Sequence, residues 1–579
     1  MDNSKPFHYV VLIETASNQR TIFQTNRLLE NIGASQLIYR VGKEFVNDVV
    51  EELGPEAAEI VVSASGKAIL LARDEEAAKG IIQRVTLRTL DECPGVIARG
   101  AYVEIGDWTA KALDKAIQGV HRLLNDVASR LPPPVARFQR LPFVENCASS
   151  GYPASAINAA ARKTPASSEV ILARRRKEVV EAARQRIGNF RDFKLYRSLE
   201  KFEEASENNE IGDWIAIVHA DGNGLGQVFL SFLDRVSKDA TAEDYVDALK
   251  SFSAAIDDWS RTAAGIAIKE TWSDLVASDD PGDGKGKRNK KQNFAPVAPV
   301  VLGGDDLTVI CEGERAVRFA AAYLREFEKA SREGLAKLKD KLPRIGMDFV
   351  AAAAGVAIVK PHFPFHRAYE LVEHLIKSAK TSKLRFGTAP CSALDFHVVF
   401  DTSGGELEPI RDRMVVEGSL EKLTMRPYVV TPLDRLREPP EGDGGAMDWA
   451  KRRHYSEGDR SLQKAIEALL ATPQEDSERA DPSRLPRSQA HALHEALYSG
   501  RTVADGRLAQ IRHRYPDFPW RRLTDDSSGN PSLFVEDGKR KGDDGKDHPQ
   551  YGAYLLDAME LADLAGKDAL DKEAVGARS

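Results

Sequence analysis

Apolar positions along this 579-residue chain fall into two stretches that run through the same alternation of patterns. The run FHYVVLIE, 7–14, is apolar enough throughout to be a buried strand. TIFQTNRLLENIG, 21–33, follows at helical spacing, with Gly33 as its expected stop. EIVVSASGKAILLA, 59–72, reads as two strands joined by a Ser-Gly turn. DEEAAKGIIQRVTLRTL, 74–90, resumes helical spacing, and GVIARGAYVEIG, 95–106, returns to strand. The order is β-α-β-β-α-β, that of a ferredoxin-like palm.

The second stretch opens on DWIAIVHADGNGLG, 213–226, an apolar strand entering a glycine-rich turn and a helix. A long helix is predicted over 242–272. PVAPVVLGGDDLTVIC, 296–311, follows as two strands flanking a two-glycine turn. A helix over 313–340, the strand DFVAAAAGVAIV, and a helix ending SAKTSK complete the same order, which points to an internal duplication. Between the stretches, LPPPVARFQRLPF, 131–143, is punctuated by proline and marks a boundary. From 405 onward the pattern is mostly helical, with RKGDDGKDHPQ, 540–550, expected as a surface loop. The expected fold class is α+β: two ferredoxin-like palms with antiparallel sheets and helices on one face, a helical connector, and a helical C-terminal domain. The expected divisions are 1–130, 131–208, 209–404 and 405–579.

Composition narrows the function classes. A net charge of -7 shows no global basic excess, so any contact with nucleic acid must come from local patches. Cys93, Cys147, Cys311 and Cys391 lie far apart without a C-x-x-C pair, which argues against a structural zinc. The N-terminus lacks the basic start and apolar core of a signal peptide, and no apolar run reaches membrane-spanning length. A soluble, cytoplasmic protein with no membrane partner is expected.

The candidate chemistry sits in the second stretch. A palm places its first strand beside the hairpin of the next two, so Asp221, at the end of that strand, meets Asp305 and Asp306 at the hairpin tip. Neighbouring strands are about 4.8 Å apart. Three carboxylates that close raise one another's pKa, and divalent cations relieve the repulsion. All-oxygen ligation suits two Mg²⁺ or Mn²⁺ ions, which activate a ribose 3′-hydroxyl and neutralise a leaving pyrophosphate. Gly222, Gly224 and Gly226, with Asn223 among them, let backbone approach phosphates, and Gly303 and Gly304 leave room for a nucleotide. Lys380 is a candidate for the triphosphate. Alone, DGNG is commonly a plain turn and GGDD a hairpin tip; their joint placement at strand ends favours catalysis. His219, without a His or Cys companion at ligand spacing, reads as a core or hydrogen-bonded residue.

HADGNGLG followed by LGGDDLTV, AGVAIV and SAK resembles the second palm of the large polymerase-like subunit of type III CRISPR effector complexes, a family related to GGDEF cyclases. IETASNQRTIFQTNRLLENIGAS and VVSASGKAILL resemble that family's first palm, which is normally catalytically silent. The resemblance implies synthesis of (cyclic) oligoadenylate messengers from ATP, switched on by target RNA bound to guide RNA and other type III CRISPR subunits. Asp221, Asp305 and Asp306 would be the metal ligands, and Gly303 and Gly304 would shape the nucleotide pocket.

Three departures stand out. Asn223 occupies a place where the family often has a second acid, no His-Asp dipeptide of an HD nuclease occurs, and a zinc module between the palms is missing. A stand-alone nucleotide cyclase in antiphage signalling is therefore the alternative, and a non-catalytic scaffold binding RNA or partner subunits a further one. The first palm offers Glu14 where the second has Asp221, and Ser63, Ala64, Ser65 and Gly66 where the second has GGDD, so it is expected to be structural or to form one wall of a composite site. Two basic stretches are candidate RNA contacts or solvated faces: Arg174, Arg175, Arg176 and Lys177, and the loop with Lys285, Lys287, Arg288, Lys290 and Lys291.

Overall fold

The structure is a computed structural model that describes residues 6–130, 138, 140–157, 166–188, 194–195, 214–273, 294–361, 363–400, 406–439, 445–470, 483–527, 529–541 and 547–576. The loop bearing Lys285, Lys287, Arg288, Lys290 and Lys291 lies outside these residues.

In the first palm, β1 (Tyr9–Ala16), β2 (Ala58–Ala64), β3 (Lys67–Ala72) and β4 (Ile97–Glu104) form an antiparallel sheet in the order β2-β3-β1-β4. Central β1 has a partner on each side, which fits its continuous apolar run rather than an alternating one. The Ser65–Gly66 turn closes the β2–β3 hairpin, with Gly66 at φ +72°. Helices α1 (Leu28–Arg40), α2 (Glu75–Glu92) and α3 (Ala110–Arg130) complete the unit. The Asp74 side chain caps α2 by accepting from the Ala77 N–H at 2.8 Å.

Helix α1 runs straight through Gly33, the expected stop. A Cβ at this position would run into the Arg174 carbonyl, so the glycine serves close helix packing rather than termination. Gly33→Ala is therefore expected to lower stability by about 1–3 kcal/mol, as overpacking does, read from urea denaturation midpoints; an unchanged midpoint would show the contact yields. Arg174 itself is buried and donates to the Thr21 carbonyl at 2.8 Å and to Gln24 Oε1 at 3.1 Å. Arg175 pairs with buried Glu30, and Arg176 reaches the Glu92 carbonyl. Arg174 and Arg175 clamp the connector to the first palm instead of facing RNA or solvent, whereas Arg176 and Lys177 are exposed.

The second palm repeats the order with two added strands. Its sheet runs β6-β7-β5-β8-β9-β10, made of β5 (Ile215–Gly222), β6 (Val297–Gly303), β7 (Asp306–Glu312), β8 (Ala352–Val359), β9 (Ala393–Val398) and β10 (Tyr428–Val429). The β8–β9 pairing is parallel; the others are antiparallel. Strand β10 comes from beyond residue 405, so the C-terminal part is stitched into the palm sheet. Around the sheet lie α4 (Ala242–Thr271), α5 (Ala316–Lys337) and α6 (Phe365–Thr381). A capping box of Thr241 and Asp244 starts α4. Gly355 on β8 lets α6 rest directly on the sheet, because a Cβ there would meet the Val372 carbonyl.

Helix α4 also joins the palms. Lys250 pairs with Glu59, the Tyr245 hydroxyl donates to Asp114 Oδ1 at 3.0 Å, and Trp108 Nε1 donates to Glu243 Oε1 at 2.5 Å. Past β10 the described residues form mainly helices, the last of them α7 (Leu555–Gly576). Of the expected surface loop at 540–550, residues 540–541 and 547–550 belong instead to the antiparallel strands Val535–Lys541 and Asp547–Gly552, and 542–546 lie outside the described residues. The segment's composition of glycine, lysine and aspartate hid strands that carry few apolar residues. Among the described residues no helix is long and apolar enough to cross a membrane.

Candidate functional site

The β5–β7 register decides where the acids go. Ala220 faces Leu307, so the next step places Asp221 opposite Asp306, with Gly222 beside Asp305. A Cβ on Gly222 would lie 2.7 Å from Asp305 Oδ2, so the missing side chain is what lets the hairpin tip close over this strand. Gly303 pairs with Asp306 across a two-residue turn whose first residue, Gly304, has φ +62°. The Gly304 N–H donates to Asp257 Oδ1 at 2.9 Å, and Arg261 Nε holds the other oxygen at 3.0 Å. Helix α4 thus fixes the turn from behind.

Burial first, then the charges of Asp221 and Asp306, push the Asp305 carboxyl up to about 7. Lys380, on the last turn of α6, donates to Asp221 Oδ2. Asp306 Oδ1 is buried, accepts no hydrogen bond, and lies 3.3 Å from His219 Nδ1. Burial alone would lower the His219 pKa, but the charges of Asp306, Glu373 and Asp221 hold it up to about 9. Among the described residues no three such side chains are already arranged to hold a metal ion. The donor set nevertheless suits a hard divalent cation: clustered oxygen ligands, and an Asp305 carboxyl strained by its acidic neighbours.

The remaining sequence candidates divide. Gly224, at φ +95°, needs its glycine for that left-handed backbone, and Lys383 Nζ lies beside it, 2.2 Å from where a Cβ would be. Lys383, unnoticed in the sequence, thus brings a second ammonium beside the Asp221–Gly224 loop; its place one turn after Lys380 was the available signal. Asn223 is spoken for: its N–H donates to the Ala351 carbonyl at 2.8 Å and its side chain to the Cys391 carbonyl at 3.2 Å. Around Gly226 a Cβ would meet nothing within 4 Å. Gly303 faces the first palm, where a Cβ would sit 3.6 Å from that of Ser65.

That contact sets the two hairpin tips against each other. Ala64 pairs with Lys67 as Gly303 pairs with Asp306, and Glu14 faces Lys67 as Asp221 faces Asp306. The first palm therefore carries a lysine where the second has its hairpin acid, with Lys67 Nζ 4.0 Å from Glu14 Oε1. Burial lowers the Lys67 pKa, opposed by Glu14 and by Asp305 across the boundary.

Residues 214–386, which hold this whole arrangement, match the family model described as Cas10/Cmr2, second palm domain. This segment is similar to the second palm domain of Cas10/Cmr2. No curated protein sequence matches the chain. The likeness in fold extends further: a crystal structure of the apo Csm1-Csm4 cassette superposes with a TM-score of 0.51 at 11% identity, covering 98% of this chain and 71% of that one. The cassette in complex with pppApApA covers 97% and 70% at 11% identity, with a TM-score of 0.49. For the cassette with cA3 the match covers 65% of this chain and 53% of that one, at 11% identity and a TM-score of 0.38. The Cas10-like character read from HADGNGLG and LGGDDLTV holds, as does the α+β palm architecture.

Proposed function

We propose that this Cas10-like chain is a metal-dependent nucleotidyltransferase that condenses ATP into (cyclic) oligoadenylates, as or derived from the large subunit of a type III CRISPR complex. The observation that supports it most is the meeting of Asp221, Asp305 and Asp306 where β5 ends and the β6–β7 hairpin turns. These three would hold two Mg²⁺ or Mn²⁺ ions. Bound there, such ions activate an attacking 3′-hydroxyl and neutralise the departing pyrophosphate.

The chain's own groups do the rest. Lys380 exchanges Asp221 for a phosphate when substrate arrives, and Lys383 adds a second ammonium over the Gly222–Gly224 loop. Ser65 packs on Gly303, so the open space for a nucleotide lies at Gly304, where a Cβ would meet nothing within 4 Å, with the first palm at its border. Lys383→Ala is expected to raise KM for ATP about tenfold, a loss of about 1.4 kcal/mol of binding, with kcat nearly unchanged; a fall confined to kcat would contradict that role.

The reading is tested by incubating the pure chain with ATP or GTP and Mg²⁺ or Mn²⁺, with and without RNA, and weighing products by mass spectrometry. Oligoadenylates formed only with guide and target RNA support the effector-complex form; formation without RNA supports the stand-alone cyclase. No product under any condition sinks both.

A further inference from the structure

Behind the acidic trio lies a column of polar groups that nucleotidyl transfer leaves unused. His219 and Asp221 on β5, and Asp306 and Thr308 on β7, are two apart on their strands and so share one face of the sheet. Helix α6 covers that face and presents Tyr369, Glu373 and Lys380 at helical spacing. His219 is buried between the two layers.

Each end of its ring has a partner. Nδ1 lies 3.2 Å from the Leu307 carbonyl, 3.0 Å from Thr308 Oγ1 and 3.3 Å from Asp306 Oδ1. The carbonyl only accepts, so Nδ1 carries a proton. Nε2 lies 3.5 Å from Glu373 Oε1, which also accepts the Tyr369 hydroxyl at 2.7 Å. The Tyr369 ring stacks on Phe23 of the first palm, with centroids 4.0 Å and planes 16° apart. Beside it the Phe365 N–H, at the start of α6, donates to Asn26 Oδ1 at 3.0 Å. One helix is thus gripped by the first palm at one end, touches Asp306 through Glu373 and His219 in the middle, and reaches Asp221 through Lys380 at the other.

We propose that His219 and Glu373 are positioning residues: they hold Asp306 by Oδ1, leave its other oxygen for a divalent cation, and make that hold depend on the Phe23–Tyr369 stack between palms. A packed core has no need of this cluster, which buries a carboxylate oxygen of Asp306 against the His219 ring at 3.3 Å, with no other partner for that oxygen. Partners behind a ligating carboxylate typically set metal affinity by about 10–100-fold. The proposal rests on the metal-site reading of the trio.

The test titrates the full chain with Mn²⁺, without nucleotide, following free ion by EPR. Glu373→Gln, at a partly exposed position, and His219→Leu are expected to weaken binding about 10–100-fold. His219→Asn, which keeps a donor near the Nδ1 position, recovers most of it, and Phe23→Leu costs several-fold. KM for ATP at saturating Mn²⁺ stays near the wild-type value in E373Q. Wild-type affinity in a folded E373Q overturns the proposal alone. A wild-type chain that binds Mn²⁺ no better than D305N/D306N overturns the metal-site reading and this proposal with it.

Discussion

Asparagine at both 305 and 306 yields a folded chain that forms no nucleotide product, an expected loss of at least about a thousandfold, equivalent to several kcal/mol of transition-state stabilisation. The fold survives because the hairpin turn is held by Gly304 and Asp257 rather than by either acid. Stability moves the opposite way from activity. The Asp305 carboxyl is held up to about 7 by burial and by its acidic neighbours, against an ordinary value of about 3.9. The folded state then binds more protons than the unfolded one, so stability falls as pH rises from about 4 through 7 and levels off above. Asp305→Asn removes that fall: its melting temperature exceeds that of the wild type at pH 8 and approaches it at pH 4. Added Mn²⁺ raises the wild-type value and leaves the double variant where it was. Melting curves across pH 4–8 decide this, and a variant that keeps the wild-type slope would place the pH dependence elsewhere.

Asp557→Ala is expected to cost about 3–5 kcal/mol, the range for stranding a buried charge. Asp557 is fully buried on α7 and lies 2.9 Å from Arg426 Nε. It accepts from Thr424 Oγ1 at 2.8 Å, the Met425 N–H at 2.9 Å and the Tyr428 hydroxyl at 2.6 Å. Arg426 is equally buried, pairs with Glu560, donates to the Phe396 carbonyl at 3.0 Å, and lies 3.9 Å over the Phe396 ring. Removing one carboxylate leaves several donors and part of a cation without a counterpart. Because Tyr428 and Phe396 belong to β10 and β9, the damage reaches the edge of the palm sheet. Denaturant midpoints measure the loss. Asp557→Asn, which retains acceptor oxygen, is expected to lose less; equal losses would assign the effect to packing rather than charge.

How much of this was legible in the sequence follows from which interactions are local. Strand β5, the hairpin around Gly303 and Gly304, and helix α4 announce themselves by apolar spacing and turn residues that act within a few positions. Asp221, Asp305 and Asp306 were legible together because register follows from that pattern. Gly33 misled because a helix-stopping glycine and a close-packing one look alike until Arg174 is placed against it. Arg174 and Arg175 read as a charged face because their partners, Thr21, Gln24 and Glu30, lie about 150 positions earlier. Glu373, Lys383 and Lys67 went unnoticed for the same reason: each acquires meaning from a neighbour on another element. His219 reads from sequence as a hydrogen-bonded core residue, which holds for Thr308 and Leu307 but omits Asp306 and Glu373.

Lys67 gives the duplication an asymmetry of supply. One half of the molecule balances its hairpin-side charge with an ammonium built into the polypeptide, close to Glu14. The other sets Lys380 against Asp221 and, on the reading proposed above, takes the cations for its hairpin acids from solution. A chelator can starve the second half and has nothing to extract from the first. Free divalent ion in the surrounding medium would then govern one palm while its sister keeps the opposing wall in place, loaded or empty.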